Sequence, residues 1–205
     1  MNSIVMKRFS AYLIDILIVT VISTLISQIP MINPNHQKYS DNYEKLVELE
    51  EQYSEDKIEE DEYKEEYIKL NKKLDTYSFP YTVVTVACLF GYFTLFQYFN
   101  NGQTIGKKVT KIRLKGKHKK LHFWSCLVRS LLLNSIFINV VSMILLFVTN
   151  ATGYYYSNYV LSIIESIFMY STIIVMLFRK DGRALHDLIS NTKVVFDKKS
   201  NIIEA

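Results

Sequence analysis

The residues that best combine chemistry with an unusual position are Arg8 and Asp15. Asp15 lies inside an apolar run from Phe9 to Ile29, and Arg8 precedes it by seven residues. A charged side chain at the centre of a membrane-spanning helix costs about 2.5–3.5 kcal/mol, so it requires a partner, a hydrated cavity or a proton. Seven residues are close to two helical turns, which places both side chains on one helix face. That face is interpreted either as part of a cation or proton path or as a polar pair that only joins helices.

Four apolar stretches of the chain are each long enough to cross a bilayer. They lie near residues 9–29, 79–99, 130–149 and 159–178. Basic residues cluster at 7–8, 107–129 and 179–199. Lys and Arg mark the cytoplasmic ends of spans, and all three clusters share one side only if the chain crosses four times. The sequence therefore predicts an all-α, multi-pass protein of the cell membrane, a four-helix transmembrane bundle with cytoplasmic N and C termini.

The segment between the first two spans differs sharply in charge from the rest of the chain. Residues 35–78 hold 14 acids and 7 lysines, a net charge of −7, whereas the remainder carries +11. We expect an extracytoplasmic insert with two helices near 41–53 and 55–76, with Asp41 and Ser54 as N-caps. It is interpreted either as a solvated acidic surface or as the binding site of a partner protein. No tandem repeat is apparent.

This pattern divides the chain into six segments. They are 1–29 (N-terminus and first span), 30–78 (acidic insert), 79–99 (second span), 100–129 (basic cytoplasmic loop), 130–178 (third and fourth spans) and 179–205 (cytoplasmic tail with Arg-Ala-Leu-His-Asp). Alternating apolar residues near 109–115 and in 192–196 predict two short strands that pair beneath the bilayer. We also expect an interfacial helix from about Leu121.

Several kinds of site are disfavoured by the sequence. The Gly102–Lys108 stretch lacks the spacing of a phosphate-binding P-loop. No nucleophile–base arrangement indicates an enzyme, and the histidines are too scattered to predict a metal site or another cofactor. The lysine-rich loop is better explained by attraction to anionic lipid headgroups than by binding to nucleic acid. Cys88 and Cys126 are interpreted as apolar fillers rather than a disulfide pair.

Glu165 is a second acid within an apolar span. Together with Asp15 it could provide two steps of a proton or cation path, because the two acids are expected at different depths. It could equally be a hydrogen-bonded packing residue, since its own span holds no nearby base.

The chain resembles the RDD family of membrane proteins, named for one arginine and two aspartates. The opening KRFSAYLIDILI is similar to the first helix of that family, with its Arg8 and Asp15. The segment NNGQTIGKKVTKIRL is similar to a Gly-x-Thr-x-Gly-Lys motif, and GRALHDLISNTKVVF to a closing motif that supplies the second aspartate, Asp187. The motif residues are Gly102, Thr104, Gly106, Lys107, His186 and Thr192, with Arg129 matching an arginine that opens a later helix.

The resemblance implies an integral membrane protein, with transport of a small cation or another small solute as the activity suggested for such proteins. Arg8 and Asp187 are both expected at the cytoplasmic face, where a charge-assisted pair could gate a path to Asp15. The same pair could instead dock the tail statically. Because four helices are few for a transporter, transport would call for a homo-oligomer. The rival hypothesis is a non-transporting scaffold whose insert binds a partner.

Overall fold

The computed structural model describes residues 3–117 and 120–197, and most of them are helical. The ends of the chain, including residues 198–205 of the expected tail, lie outside the described part. The helices are α1 (Ser3–Ser27), α2 (His36–Ser54), α3 (Glu60–Phe90), α4 (Gln97–Phe99), α5 (Ile105–Val109), α6 (Phe123–Leu133), α7 (Ile136–Val148), α8 (Ala151–Phe178) and α9 (Leu185–Ile189). A π-helical stretch, Gly91–Phe96, joins α3 to α4, and the strands are β1 (Ile112–Gly116) and β2 (Thr192–Phe196).

Three helical segments are long and apolar enough to cross a membrane. Within the described residues these are Ile4–Ser27, Glu60–Phe99 and Ala151–Phe178. The third span expected near 130–149 is instead two helices, α6 and α7, bent by 66° where they meet. Ser135 adopts a left-handed conformation at the bend, with φ of 56°, which an α-helix cannot continue through. The structure thus has three candidate spans, or four if the bent pair counts as one.

The acidic insert is not separated from the second span. We expected its second helix to end at 76, but α3 runs unbroken from Glu60 to Phe90 and holds Pro80 in its interior. The residues change from polar to apolar near 79, but the helix continues, although Pro80 has no N–H to donate within it. The two expected N-caps are also wrong, because α2 begins at His36, before Asp41, and Ser54 is its last residue.

The insert forms a helical hairpin in which α2 packs against the first half of α3. Leu49, Leu70 and Leu74 are buried between the two helices. Near the turn, the rings of Tyr53 and Tyr63 stack with their centroids 4.2 Å apart. Buried leucines and stacked aromatic rings therefore hold together a hairpin whose surface is otherwise charged.

At the opposite end of the molecule, the two short strands pair, as the alternation of apolar residues predicted. β1 and β2 are antiparallel, with Leu114 opposite Val194. The apolar core under this sheet contains Ala11 of α1 and Cys126 of α6, besides strand residues. The sheet therefore ties the loop before α6 and the segment after α8 to the N-terminal half of α1.

The segments that contain these strands repeat one backbone design, which the sequence analysis missed. Residues 101–117 form the first helix–strand unit and residues 181–197 the second, offset by 80 positions. Each unit has a glycine with positive φ (Gly102 or Gly182), a five-residue helix (α5 or α9) and a left-handed residue (Lys111 or Asn191) before its strand. Each follows a long helical span, and because the two units begin 80 positions apart they are not a tandem repeat.

The hydrogen bonds of the two units correspond position by position. Thr110 and Ser190 each donate a side-chain hydroxyl to the carbonyl four residues earlier. Gln103 and Arg183 occupy equivalent positions, and their side-chain nitrogens donate to the carbonyls of Ile112 and Thr192, at 3.2 and 3.0 Å. Because the equivalent residues Leu114 and Val194 also face each other across the sheet, the units are related by a local twofold pseudo-axis through that pair.

Candidate functional site

The carboxylate of Asp15 holds the first helix–strand unit against α1. Asp15 is 1% exposed and accepts three hydrogen bonds. They come from the hydroxyl of Tyr92 at 2.7 Å, the backbone N–H of Gly106 at 2.7 Å, and the hydroxyl of Thr104. Gly106 lies in the first turn of α5, where unpaired N–H groups favour a negative charge. The buried charge is therefore compensated by donors rather than by a base in direct contact.

Gly106 explains how α5 comes so close to α1. A Cβ at this position would lie 2.2 Å from the carbonyl oxygen of Ala11 and 2.8 Å from the Oδ1 of Asp15. Only glycine leaves the space that the hydrogen bond to Asp15 requires. Gly102 is needed for a different reason, because its φ is +82° and a Cβ would lie 2.1 Å from the carbonyl oxygen of Leu114.

Asp187 holds the second helix–strand unit, and it does so through two arginines. Arg8 of α1 donates to its Oδ2, and Nε of Arg129 donates to Oδ1 at 2.9 Å. The backbone N–H of Ala184 donates to Oδ2 at 3.1 Å, so Asp187 also caps its own helix α9. The adjacent guanidinium groups of Arg129 and Arg8 hold the pKa of Asp187 below its usual range, despite the opposing effect of burial. The carboxylate remains ionised at any physiological pH.

His186 is a neutral side chain in this arrangement. Burial, followed by the charge of Arg129, lowers its pKa to about 3. Arg129 can only donate hydrogen bonds, so its Nη2, 3.2 Å from Nε2 of His186, makes that nitrogen an acceptor. The ring hydrogen is therefore on Nδ1, which has no hydrogen-bond partner among the described residues. Nearby, Thr192 is fully buried and shares a hydrogen bond with the hydroxyl of Ser190.

Lys107 is a buried base without a carboxylate in direct contact. It is 6% exposed, and its Nζ donates to Oε1 of Gln97 at 2.6 Å. Burial, then repulsion from Arg129, lowers the pKa of Lys107 to about 7, although Asp15 partly opposes this. Lys107 therefore exchanges a proton near neutral pH, at a position where burial excludes most water.

These groups surround one cavity of about 180 Å³. Its polar lining includes residues from α1, α5, α6, α8 and α9, namely Arg8, Tyr12, Asp15, Lys107, Arg129, Thr172 and His186. Its apolar lining consists of Phe9, Phe93, Ile112, Leu133, Met169, Ile173, Met176 and Val194. The cavity is thus lined by both ionisable and apolar side chains, and α1 and α8 each contribute four residues to it.

The structure places the residues proposed from sequence in two groups. Arg8, Asp15 and Asp187 meet at the two helix–strand units, and Arg8 and Asp15 both line the cavity. Glu165 is elsewhere: it accepts from the hydroxyl of Ser135 at the bend between α6 and α7, and it does not line the cavity.

Three polar residues of this region were missed by the sequence analysis. Tyr92 and Thr172 lie in apolar spans, where a single hydroxyl group is common. Their presence therefore did not indicate a functional site. Gln97 is a polar residue at the end of the second span, and the sequence analysis did not connect it with Lys107. The spacing of ten residues between Gln97 and Lys107 predicts no contact unless the intervening turn is known.

Comparison with models of known protein families identifies one family. The model of the RDD family matches residues 3–191, which is most of the chain. Comparison with curated proteins and with solved structures gives no match. The matched range contains Arg8, Asp15 and Asp187, together with the first helix–strand unit and residues 181–191 of the second. The chain therefore belongs to the RDD family of membrane proteins.

Proposed function

We propose that this protein carries a small solute across the cell membrane with coupling to a proton, and that the cavity is its cytoplasmic binding site. The observation that carries the proposal is the composition of the cavity wall, which contains Arg8, Asp15, Lys107 and Arg129 beside apolar side chains. Ionisable groups at membrane depth are costly, and they typically mark substrate or proton paths.

The proposal assigns a role to each charged residue. The ion pair of Arg8 and Asp187 is the cytoplasmic gate, because breaking it would separate α1 from the second helix–strand unit. Asp15 is the intramembrane carboxylate that holds α5 closed. Lys107 is the proton-exchanging group, with a pKa of about 7. Glu165 is a packing residue at the bend rather than a second step of the path.

The proposed orientation follows from the charges. The N-terminal part of α1 and both helix–strand units lie together at one end of the molecule, and the acidic hairpin is formed by α2 and α3. Positive charge beside spans favours the cytoplasmic side, so we assign both termini to the cytosol and the hairpin to the outside.

A flux assay on proteoliposomes tests the proposal. Vesicles with an internal pH-sensitive dye receive sodium chloride, potassium chloride, or the potassium salts of phosphate and short carboxylates. We expect at least one salt to change the internal pH faster than in protein-free vesicles. Lys107→Gln should abolish that change, whereas Lys108→Gln, at the exposed neighbouring position, should preserve it. Equal rates for wild type and Lys107→Gln would contradict the proton-coupling role, and no flux with any salt would contradict the transport proposal.

A scaffold function is the second candidate, and one observation favours it. On α2, Tyr39 and Tyr43 stack at 6.3 Å and remain 38% and 52% exposed on an acidic helix. Exposed aromatic residues are enriched at the centres of protein interfaces. Replacing both tyrosines by alanine should abolish capture of a partner in a pull-down. The matched control replaces Tyr156 and Tyr159, which are similarly exposed on α8. Retained capture by the α2 variant would contradict this candidate.

A further inference from the structure

The buried charges around the cavity do not balance. Three bases line the cavity, namely Arg8, Lys107 and Arg129. Only two carboxylates accompany them, that of Asp15 in the lining and that of Asp187, which pairs with Arg8 and Arg129. A fourth buried base, Arg183, lies beside Asp187 and donates only to backbone carbonyls. When Lys107 carries its proton, the site therefore has an excess of positive charge at low exposure. Such an excess repels cations and favours an anion.

Unused donors are available at the same place. Arg129 binds through Nε and Nη2, which leaves Nη1 without a hydrogen-bond acceptor among the described residues. Nδ1 of His186 and Oγ1 of Thr172 are also unpartnered there, although both residues are 4% exposed and line the cavity. Buried polar atoms are almost always paired in proteins, so the two buried unpaired atoms, Nδ1 of His186 and Oγ1 of Thr172, indicate a polar occupant of the cavity that both residues line.

The rest of the cavity lining is apolar. Leu133, Met169 and Met176 belong to it. Phe9 on α1 and Ile173 on α8 also line the cavity, yet they are 58% and 44% exposed. In a membrane-spanning protein, exposed apolar side chains of spans contact lipid, so the cavity borders the bilayer at Phe9 and Ile173. A free inorganic ion would contact only the charged and polar residues of the lining and would leave the apolar residues without a matching partner.

We infer that the cavity binds one anionic phospholipid, with the headgroup phosphate against Arg129 and the acyl chain between α1 and α8. This site is distinct from the general attraction of surface lysines to the membrane, because its ligands are buried and its apolar wall is specific. This lipid site is the same cavity that we propose as the solute-binding site, so a bound lipid and the transported solute would compete for it. Binding can be present whether or not the protein transports anything.

Native mass spectrometry of the full chain in a non-ionic detergent tests the inference. The purified protein is titrated with phosphatidylglycerol, with phosphatidylcholine of the same acyl chains, and separately with inorganic phosphate. We expect one phosphatidylglycerol per chain, held at least ten times more tightly than phosphatidylcholine. Equal affinity for the two lipids would overturn the inference. Displacement of phosphatidylglycerol by millimolar phosphate would also overturn it, because the site would then recognise the ion alone.

Two variants on α8 separate the site from general lipid contact. Ile173→Trp places bulk in the apolar wall and should reduce phosphatidylglycerol binding at least fivefold. Ile174→Trp changes the next residue, which is 55% exposed and outside the cavity lining, and should bind as wild type does. Neither substitution touches the buried charges, so folding is expected to be preserved. Equal binding by both variants would overturn the inference. The assay involves no flux, so loss of binding and loss of transport are distinguishable.

Discussion

The two helix–strand units share a backbone but are fixed to the rest of the protein by opposite charges. In the first unit, position 107 is a lysine and the preceding residue is a glycine pressed against α1. In the second unit, the equivalent positions hold Asp187 and His186. The carboxylate that receives the N-terminal N–H groups comes from α1, as Asp15, in the first unit. In the second unit it comes from within the unit, as Asp187.

This difference gives a physical account of Arg8, Asp15 and Asp187 in this chain. Each five-residue helix needs a carboxylate at its N-terminus, because its first N–H groups have no partner within the helix. Asp15 and Asp187 provide one each. Since Asp187 adds a buried charge of its own, α1 contributes Arg8 to compensate it. Two residues on one face of α1 thereby hold two pseudo-equivalent units, one through a carboxylate and one through a guanidinium group.

The largest effect is expected from breaking the second unit. Asp187→Asn leaves Arg8 and Arg129 buried without their counter-ion, which typically costs about 3–5 kcal/mol. The free energy of unfolding, measured by circular dichroism in detergent, should fall by that amount. Asp181→Asn is the control, because the ion pair of Asp181 with Arg179 is about half exposed and should contribute less than about 1 kcal/mol. Similar losses for the two variants would contradict the assigned role of Asp187.

Breaking the first unit should cost less. Asp15→Asn weakens the three hydrogen bonds that the carboxylate accepts. It leaves no buried base unpaired, because no base among the described residues forms an ion pair with Asp15. We expect a loss of about 1.5–3 kcal/mol in the same unfolding measurement. A loss larger than that of Asp187→Asn would contradict this account, because Asp15 would then contribute more to the free energy of unfolding than Asp187 does.

A third change tests the close contact of α5 with α1. Gly106→Ala would force its Cβ against the carbonyl of Ala11, and overpacking of this kind costs about 1–3 kcal/mol. Gly91→Ala is the matched control, since its Cβ would meet nothing within 4 Å and its backbone is helical. The control should unfold at the wild-type temperature or above it. Unchanged stability of Gly106→Ala would contradict the packing account.

Lys107 gives the first unit a pH dependence above neutral pH, whereas the lowered pKa values of His186 and Asp187 act on the second unit only at acidic pH. Its pKa is lowered from 10.5 to about 7 in the folded protein by burial, next to Arg129, Asp15, Cys126 and Asp187. Between pH 7 and 10.5 the unfolded chain keeps a proton that the folded chain releases, so stability should rise with pH. The slope is at most about 1.4 kcal/mol per pH unit. Lys107→Gln should remove this slope and Lys108→Gln should retain it; equal slopes would contradict the assignment.

The smallest expected effect tests how far the two helix–strand units resemble each other in energy as well as in backbone structure. Thr110→Ala and Ser190→Ala remove equivalent hydroxyl–carbonyl bonds, each contributing about 0.5–1.5 kcal/mol. Ser190→Ala should cost more than Thr110→Ala, because the hydroxyl of Ser190 also shares a hydrogen bond with the hydroxyl of Thr192, whose equivalent in the first unit is Ile112. Unfolding curves of the two variants provide the comparison, and a larger loss for Thr110→Ala would contradict this expectation.

The sequence predicted the individual helical spans and strands better than the places where one element continues into the next. The apolar spans, the two strands and the proximity of Arg8 to Asp187 follow from hydropathy, alternation and motif order. The continuous α3 did not, because the change in polarity near 79 and the presence of Pro80 both favour a boundary. The bend at Ser135 was not predicted, because hydropathy does not indicate which residue of an apolar stretch adopts a left-handed conformation.

The repeat escaped notice for a related reason. Between the two units few residues are identical, and the left-handed position before the first strand is filled by Lys111 rather than by glycine or asparagine. The backbone is conserved through hydrogen bonds that several residue types can make, such as those of Gln103 and Arg183. The function of Gly106 depends on its distance to α1, which only the assembled structure provides.

A pair of double-mutant cycles tests most directly whether α1 holds the two units separately. The cycle of Arg8→Gln with Asp187→Asn should show a coupling energy above about 1 kcal/mol, because the two residues form one ion pair. The cycle of Arg8→Gln with Thr104→Val, which weakens only the first unit, should be additive within about 0.5 kcal/mol. Additivity in the first cycle, or strong coupling in the second, would contradict the account.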